Sequence, residues 1–230
     1  MRNFPFPDKI SSREELTRDL LYHKIRSQDL EKIADRAWET GVAAARALID
    51  EYGRDKPIES IAGLSGLSLE RIGKDNVAGN VRYFSEYYSG RSKIVLYLQS
   101  IGKWAKANHL SMSEAEELIL SHEYYHFLEC TKLGLTSKQY QVPTVCIGPI
   151  SLGKSGIRAL SEIGAHGFSR TYFEAKGKIP AGEKSGKNDK LLLNQAVNAM
   201  NFEGRDKARK INSGYVFNLF KENLVRSNKK

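Results

Sequence analysis

Three side chains within five residues are of types that can do chemistry together. They are His122, Glu123 and His126, in the run His122-Glu123-Tyr124-Tyr125-His126. On an α-helix, residues four apart lie one turn above each other, so both imidazoles can face one metal ion. The carboxylate after the first histidine then sits beside that ion. There it can take a proton from an attacking water and return it to a leaving amine. The spacing points to metal-assisted hydrolysis, with Zn2+ as cofactor and Glu123 as general base.

A catalytic zinc usually keeps three protein ligands and one open position. A nearby third ligand would follow the extension that puts glycine at 129 and the ligand at 132. Glu129 and Lys132 stand there, which excludes that class. The distant alternative is a carboxylate on a second helix, and Glu162 fits it. Ala159, Gly164, Ala165 and Gly167 surround it. Each glycine weakens a helix by about 1 kcal/mol relative to alanine, so their presence implies a close approach between helices. His166 lies one turn after Glu162 on the same face. It could orient a ligand, be the ligand itself, or be a satisfied buried histidine. Cys130 continues the stripe of His122 and His126 by one more turn and is expected as a small buried thiol. An oxyanion partner is also needed, and Tyr88, Tyr140 and Tyr172 qualify by residue type alone.

These residues need elements to hold them. Ser113 with Glu116 reads as a capping box opening a helix to about Cys130, with Lys132 and Gly134 as its stop. Ala115, Leu118 and Ile119 place an apolar stripe in phase with the two histidines. The carboxylate helix is expected from about Ile157 to Ala175. Upstream, a helical pattern runs in two pieces from Ser12, opened by Ser12 and Glu15, to Tyr52 before Gly53. A short helix follows Pro57. Strands are expected at Leu67–Ile72, Val81–Tyr88 and Ser92–Leu98, with a turn at Asn76–Asn80 and a helical turn from Trp104 to His109. The strand at Ile94–Leu98 could offer a free edge to an extended peptide. Residues 133–156 read as a long loop with one extended piece, Gln141–Ile147. Residues 176–190 read as a mobile loop, followed by two terminal helices. The expected fold class is α+β and mostly helical. A small three-stranded sheet would pack beside the HExxH helix and a second ligand-bearing helix.

Composition sets limits. The chain has 230 residues, 40% hydrophobic and 27% charged, as in ordinary globular proteins. No run reads as a membrane span, and the proline-broken start, Met1-Arg-Asn-Phe-Pro-Phe-Pro7, lacks the apolar core of a signal peptide. Cys130 and Cys146 make no disulfide framework. A cytoplasmic location is the expectation. Of the net charge of +9, residues 170–230 supply +8, holding 14 Lys and Arg against 6 Asp and Glu. That basic part could meet nucleic acid or an acidic partner, although no nucleic-acid module accompanies it. Nothing in the sequence sets the oligomeric state.

The layout resembles the gluzincin-type peptidases, and within them the compact ImmA/IrrE-like intracellular peptidase domains. The similarity covers roughly residues 35–175. It rests on the helix pair ending in Tyr52-Gly53 and Ile61-Ala-Gly-Leu-Ser-Gly66, on Lys93-Ile-Val-Leu-Tyr97, on His122-Glu-Tyr-Tyr-His126 and on Glu162-Ile-Gly-Ala-His-Gly-Phe168. The resemblance implies zinc on His122, His126 and Glu162, Glu123 as base, and a protein or peptide substrate, commonly a transcriptional regulator. Tyr125 departs from it, since the family usually has a small residue before the second histidine. The span from His126 to Glu162 is also longer than is typical. The expected organisation is a metallopeptidase-like domain over residues 1–175, with N-terminal helices, and a basic loop with C-terminal helices over 176–230. The alternative function is a non-catalytic, metal-stabilised binding module that docks a regulator or nucleic acid through that basic part.

Overall fold

The computed structural model describes residues 4–79, 81–147 and 150–178. The terminal helices and nearly all of the basic 176–230 segment expected from the sequence lie outside them. The described chain is α+β and mostly helical, and it divides into two compact units. One holds the described residues of Met1–Gly66 and Glu117–Ser185; the other holds Leu67–Glu116.

The first unit begins with a 3-10 turn, Ser11–Glu14, that runs into the one-turn helix α1, Glu15–Arg18. The longer helix expected here does not form, and Ser12 donates to the Lys9 carbonyl rather than capping. Asp19 turns the chain, because its carboxylate accepts from the Leu21 amide at 2.9 Å. Leu20 is 82% exposed as a result.

Helix α2, Leu30–Tyr52, matches its expected bounds and ends at Gly53, whose φ of 79° suits a residue without Cβ. Its buried stripe includes Ile33, Ala37, Trp38, Gly41, Val42, Ala45 and Leu48. Helix α3, Ile58–Leu64, follows Pro57.

Helix α2 packs against α6, Ala159–Ala175. A Cβ on Gly41 would come within 2.8 Å of the Phe168 amide nitrogen, and one on Gly167 within 2.6 Å of the Trp38 carbonyl oxygen. The small residues around Glu162 thus do mark a close helix approach, and most of it is against α2.

In the second unit, β1 (Ser68–Ile72), β4 (Ser85–Tyr88) and β5 (Lys93–Tyr97) form a mixed sheet in the order β1-β5-β4. Strand β5 is parallel to β1 and antiparallel to β4. The free edge expected at Ile94–Leu98 is therefore absent. The most apolar strand is the central one, where both faces and both edges are covered. The turn expected at Asn76–Asn80 is part of a hairpin of β2 (Asn76–Ala78) and β3 (Val81–Tyr83). Helix α4, Leu98–Ala107, replaces the expected single turn and buries Ile101, Trp104 and Ala105.

Helix α5, Met112–Leu128, starts in the second unit and runs into the first. Its capping box is Ser111 with Glu114, two residues before the expected pair. The Ser111 hydroxyl accepts from the Glu114 amide at 3.2 Å, and the Glu114 carboxylate accepts from the Ser111 amide at 2.8 Å. A π-helical turn, Glu129–Leu133, continues α5 and ends at Gly134, φ 76°. The expected loop after it contains a hairpin of β6 (Gln141–Ile147) and β7 (Ile150–Gly156). Its alternation is hidden because apolar Val145 and Leu152 are exposed on it.

Candidate metal centre

Helices α5 and α6 supply every side chain of a group that could hold a metal ion. The ligating atoms of His122, His126 and Glu162 all lie within 4.8 Å of one another. The two Nε2 atoms are 3.2 Å apart; His122 Nε2 is 3.2 Å from Glu162 Oε2, and His126 Nε2 is 3.9 Å from Glu162 Oε1. Bonds of about 2.0–2.1 Å to a tetrahedral zinc imply ligand separations of roughly 3.3–3.4 Å. The donor set and its spacing fit such an ion. A hydrogen bond between Ser121 and Ser169, 2.9 Å and fully buried, ties the same two helices together.

Glu129 supports His126. The His126 Nδ1–H donates to Glu129 Oε2 at 2.8 Å. The other carboxylate oxygen accepts from the Thr136 amide at 2.7 Å and the Ser161 hydroxyl at 2.9 Å. This bond fixes the tautomer that leaves the Nε2 lone pair for a metal. Its signal was the three-residue spacing from His126, but only the π-helical turn shows that Glu129 points inward. The same turn puts Cys130 outside: it is exposed, not a buried thiol.

The HExxH side chains are deeply buried, His122 and Glu123 at 0% exposure and His126 at 1%. The Glu162 side chain is 23% exposed and gives the group its solvent-facing side. Burial pushes His122 down to about 3, assisted by His126. Burial also opposes a cation on His126, but the bond to Glu129 and the charges of Glu162, Glu129 and Glu123 outweigh it and raise His126. Burial pushes Glu162 up to about 7. The shifts of His122 and Glu162 are ordinary consequences of burial, and that of His126 is a consequence of the carboxylates around it.

His166, buried at the next turn of α6, has its ring centroid 5.4 Å from that of His122. Its Nδ1 has no hydrogen-bond partner among the described residues, and burial holds its pKa well below the usual imidazole range. It does not join the ligand group. Phe6, fully buried, packs against both rings, edge-on to His122 and tilted to His166, with centroids 5.7 Å from each. Nothing in the proline-broken start of the sequence signalled that role.

The three tyrosines have other partners. Tyr172 donates to the Lys56 carbonyl at 3.1 Å and Tyr140 to Asp29 at 2.8 Å. Tyr88 belongs to the second unit, where it donates to Glu86 at 2.7 Å. None of the three is brought to the metal group by these bonds.

Comparison with known families, curated proteins and solved structures finds no match for this chain. The site's chemistry therefore stands on its geometry. Among the described residues, no helix is long and apolar enough to cross a membrane.

Proposed function

We propose that this chain is a zinc-dependent peptidase of the gluzincin type, hydrolysing peptide bonds of an intracellular protein. The observation that carries the reading is the convergence of His122, His126 and Glu162 on one point, with Glu129 holding His126 and Glu123 buried alongside. Zinc bound there supplies a Lewis acid and a water acidified to near neutrality. Glu123 takes the proton of the attacking water and delivers it to the leaving amine. Glu162 and the two imidazoles hold the ion, and Glu129 keeps His126 in the right tautomer. A regulator or repressor as substrate is the expectation that the resemblance adds.

The test is Glu123→Gln. We expect it to keep its metal and to lose roughly 10²–10⁴-fold in peptide hydrolysis, the usual scale for a general base. Equal cleavage by the variant and the wild type would refute the peptidase reading.

The burial of His122 and His126, with Phe6 against His122, favours one alternative, a metal-stabilised binding module without turnover. It predicts that Glu123→Gln is silent, and that metal removal lowers stability alone.

A further inference from the structure

Arg18, the last residue of α1, has a divided guanidinium. Its Nη1 donates to Glu15 Oε1 at 2.7 Å, and both side chains are 14% exposed. Its Nε and Nη2 are buried and have no hydrogen-bond partner among the described residues. Those two nitrogens form one edge of the planar fork and present parallel N–H groups. That edge matches the two oxygens of a carboxylate. A buried charged donor left unmatched is costly, so such an edge calls for an anionic ligand.

Its position is set by packing and hydrogen bonding. The neighbouring Asp19 accepts from the Ala159 amide at 3.0 Å, which pins the end of α1 to the first turn of α6. Leu16 lies in the same core cluster as Leu160 and Ile163, which flank Glu162 in sequence. The Arg18 charge is among those that act on both Glu162 and His166. Of the three side chains in the metal group, Glu162 is the one with substantial exposure, at 23%, and it lies on α6, the helix to which the end of α1 is pinned.

We propose that Arg18 receives a carboxylate of the substrate beside the metal group. It would give the enzyme a preference for peptides with an acidic group next to the scissile bond. This rests on the peptidase reading above. Glu15 serves as the positioning residue, holding Nη1 so that the Nε–Nη2 edge faces the ligand. The carboxylate comes either from a free C-terminus or from an Asp or Glu side chain, and both present the same two oxygens.

The test uses the full chain carrying Glu123→Gln and loaded with zinc, so that peptide is bound and not consumed. Three pools of acetylated hexapeptides are titrated by calorimetry. The first has no acidic side chains and a free C-terminus. The second is the same pool amidated, and the third is amidated with one glutamate. We expect one acidic pool to bind at least tenfold more tightly than the neutral amidated pool, and its identity names the source of the carboxylate. Adding Arg18→Met should abolish that preference, with zinc content and binding of the neutral pool unchanged. Arg18→Lys keeps a charge able to pair with Glu15 but loses the fork. It serves as the variant safest for folding and should lose most of the preference. Equal binding of all three pools, or a preference intact in Arg18→Lys and Arg18→Met, would overturn the proposal. Failure of the peptidase reading is read separately, as absent zinc or as no cleavage of the same pools by the protein with Glu123 intact.

Discussion

The ring of Tyr125 fills the space beside Gly164, where a Cβ would come within 2.7 Å of the ring carbon that carries the hydroxyl. The hydroxyl itself bonds to Thr136 at 2.6 Å. Tyr125 directly precedes a metal-group histidine, and Gly164 lies two residues after Glu162. The bulky residue before the second histidine is thus accommodated by a glycine on the facing helix.

This relationship predicts that Gly164→Ala is disruptive. Overpacking of this kind costs about 1–3 kcal/mol, and the displaced ring would shift His126 against Glu162. Thermal melting should show a clear drop, together with weaker metal binding. Gly63→Ala is the control. It sits in α3 with open space around it and should be neutral or stabilising by about 0.5–1 kcal/mol.

Glu129→Gln tests the support of His126. The amide keeps the shape but loses the charge that raises His126. Losing such a supporting carboxylate typically costs 10–100-fold in metal affinity. Competition with a chromophoric chelator would measure it. Unchanged affinity would mean that Glu129 is only a structural link to Thr136 and Ser161.

Metal binding should weaken as pH falls. In the metal-free protein burial pushes Glu162 up to about 7, whereas a metal takes the ionised carboxylate. Below about pH 7, protons therefore compete for the ligand, and apparent affinity drops by about tenfold per pH unit for one proton. The raised His126 steepens this. His122, held down to about 3, stays neutral and adds nothing in that range. Chelator competition across neutral and mildly acidic pH would show the slope, and a flat profile would contradict it.

Phe6→Ala should open the site. Removing a buried phenylalanine costs about 3–5 kcal/mol, and here the ring also covers His122 and His166. The melting temperature should fall and the bound metal should exchange faster into chelator. A stable variant with unchanged exchange would show that Phe6 does not shield the centre.

The candidate metal group was readable because it obeys helix periodicity: His126 follows His122 by four positions, and Gly164 and Gly167 follow Glu162. Helix α2 was equally legible from its apolar stripe and from Gly53. What stayed hidden depends on contacts that no local pattern encodes. Glu129 turns inward only because α5 continues into a π-helical turn. Phe6 reaches His122 and His166 from more than a hundred residues away in sequence. Strand β5 looked like an open edge because the pattern shows that it is apolar but not that both of its neighbours pair with it. Tyrosines chosen by type alone could not be ranked, since their hydroxyl partners, such as the Lys56 carbonyl for Tyr172, are tertiary.

The central claim is that His122, His126 and Glu162 hold a zinc ion. Elemental analysis of the purified full chain, loaded with zinc and dialysed, tests it most directly. The account predicts near-stoichiometric zinc in the wild type and in Glu123→Gln, and only background zinc in His126→Ala. A wild-type chain without zinc, or a His126→Ala variant that retains it, would contradict the account.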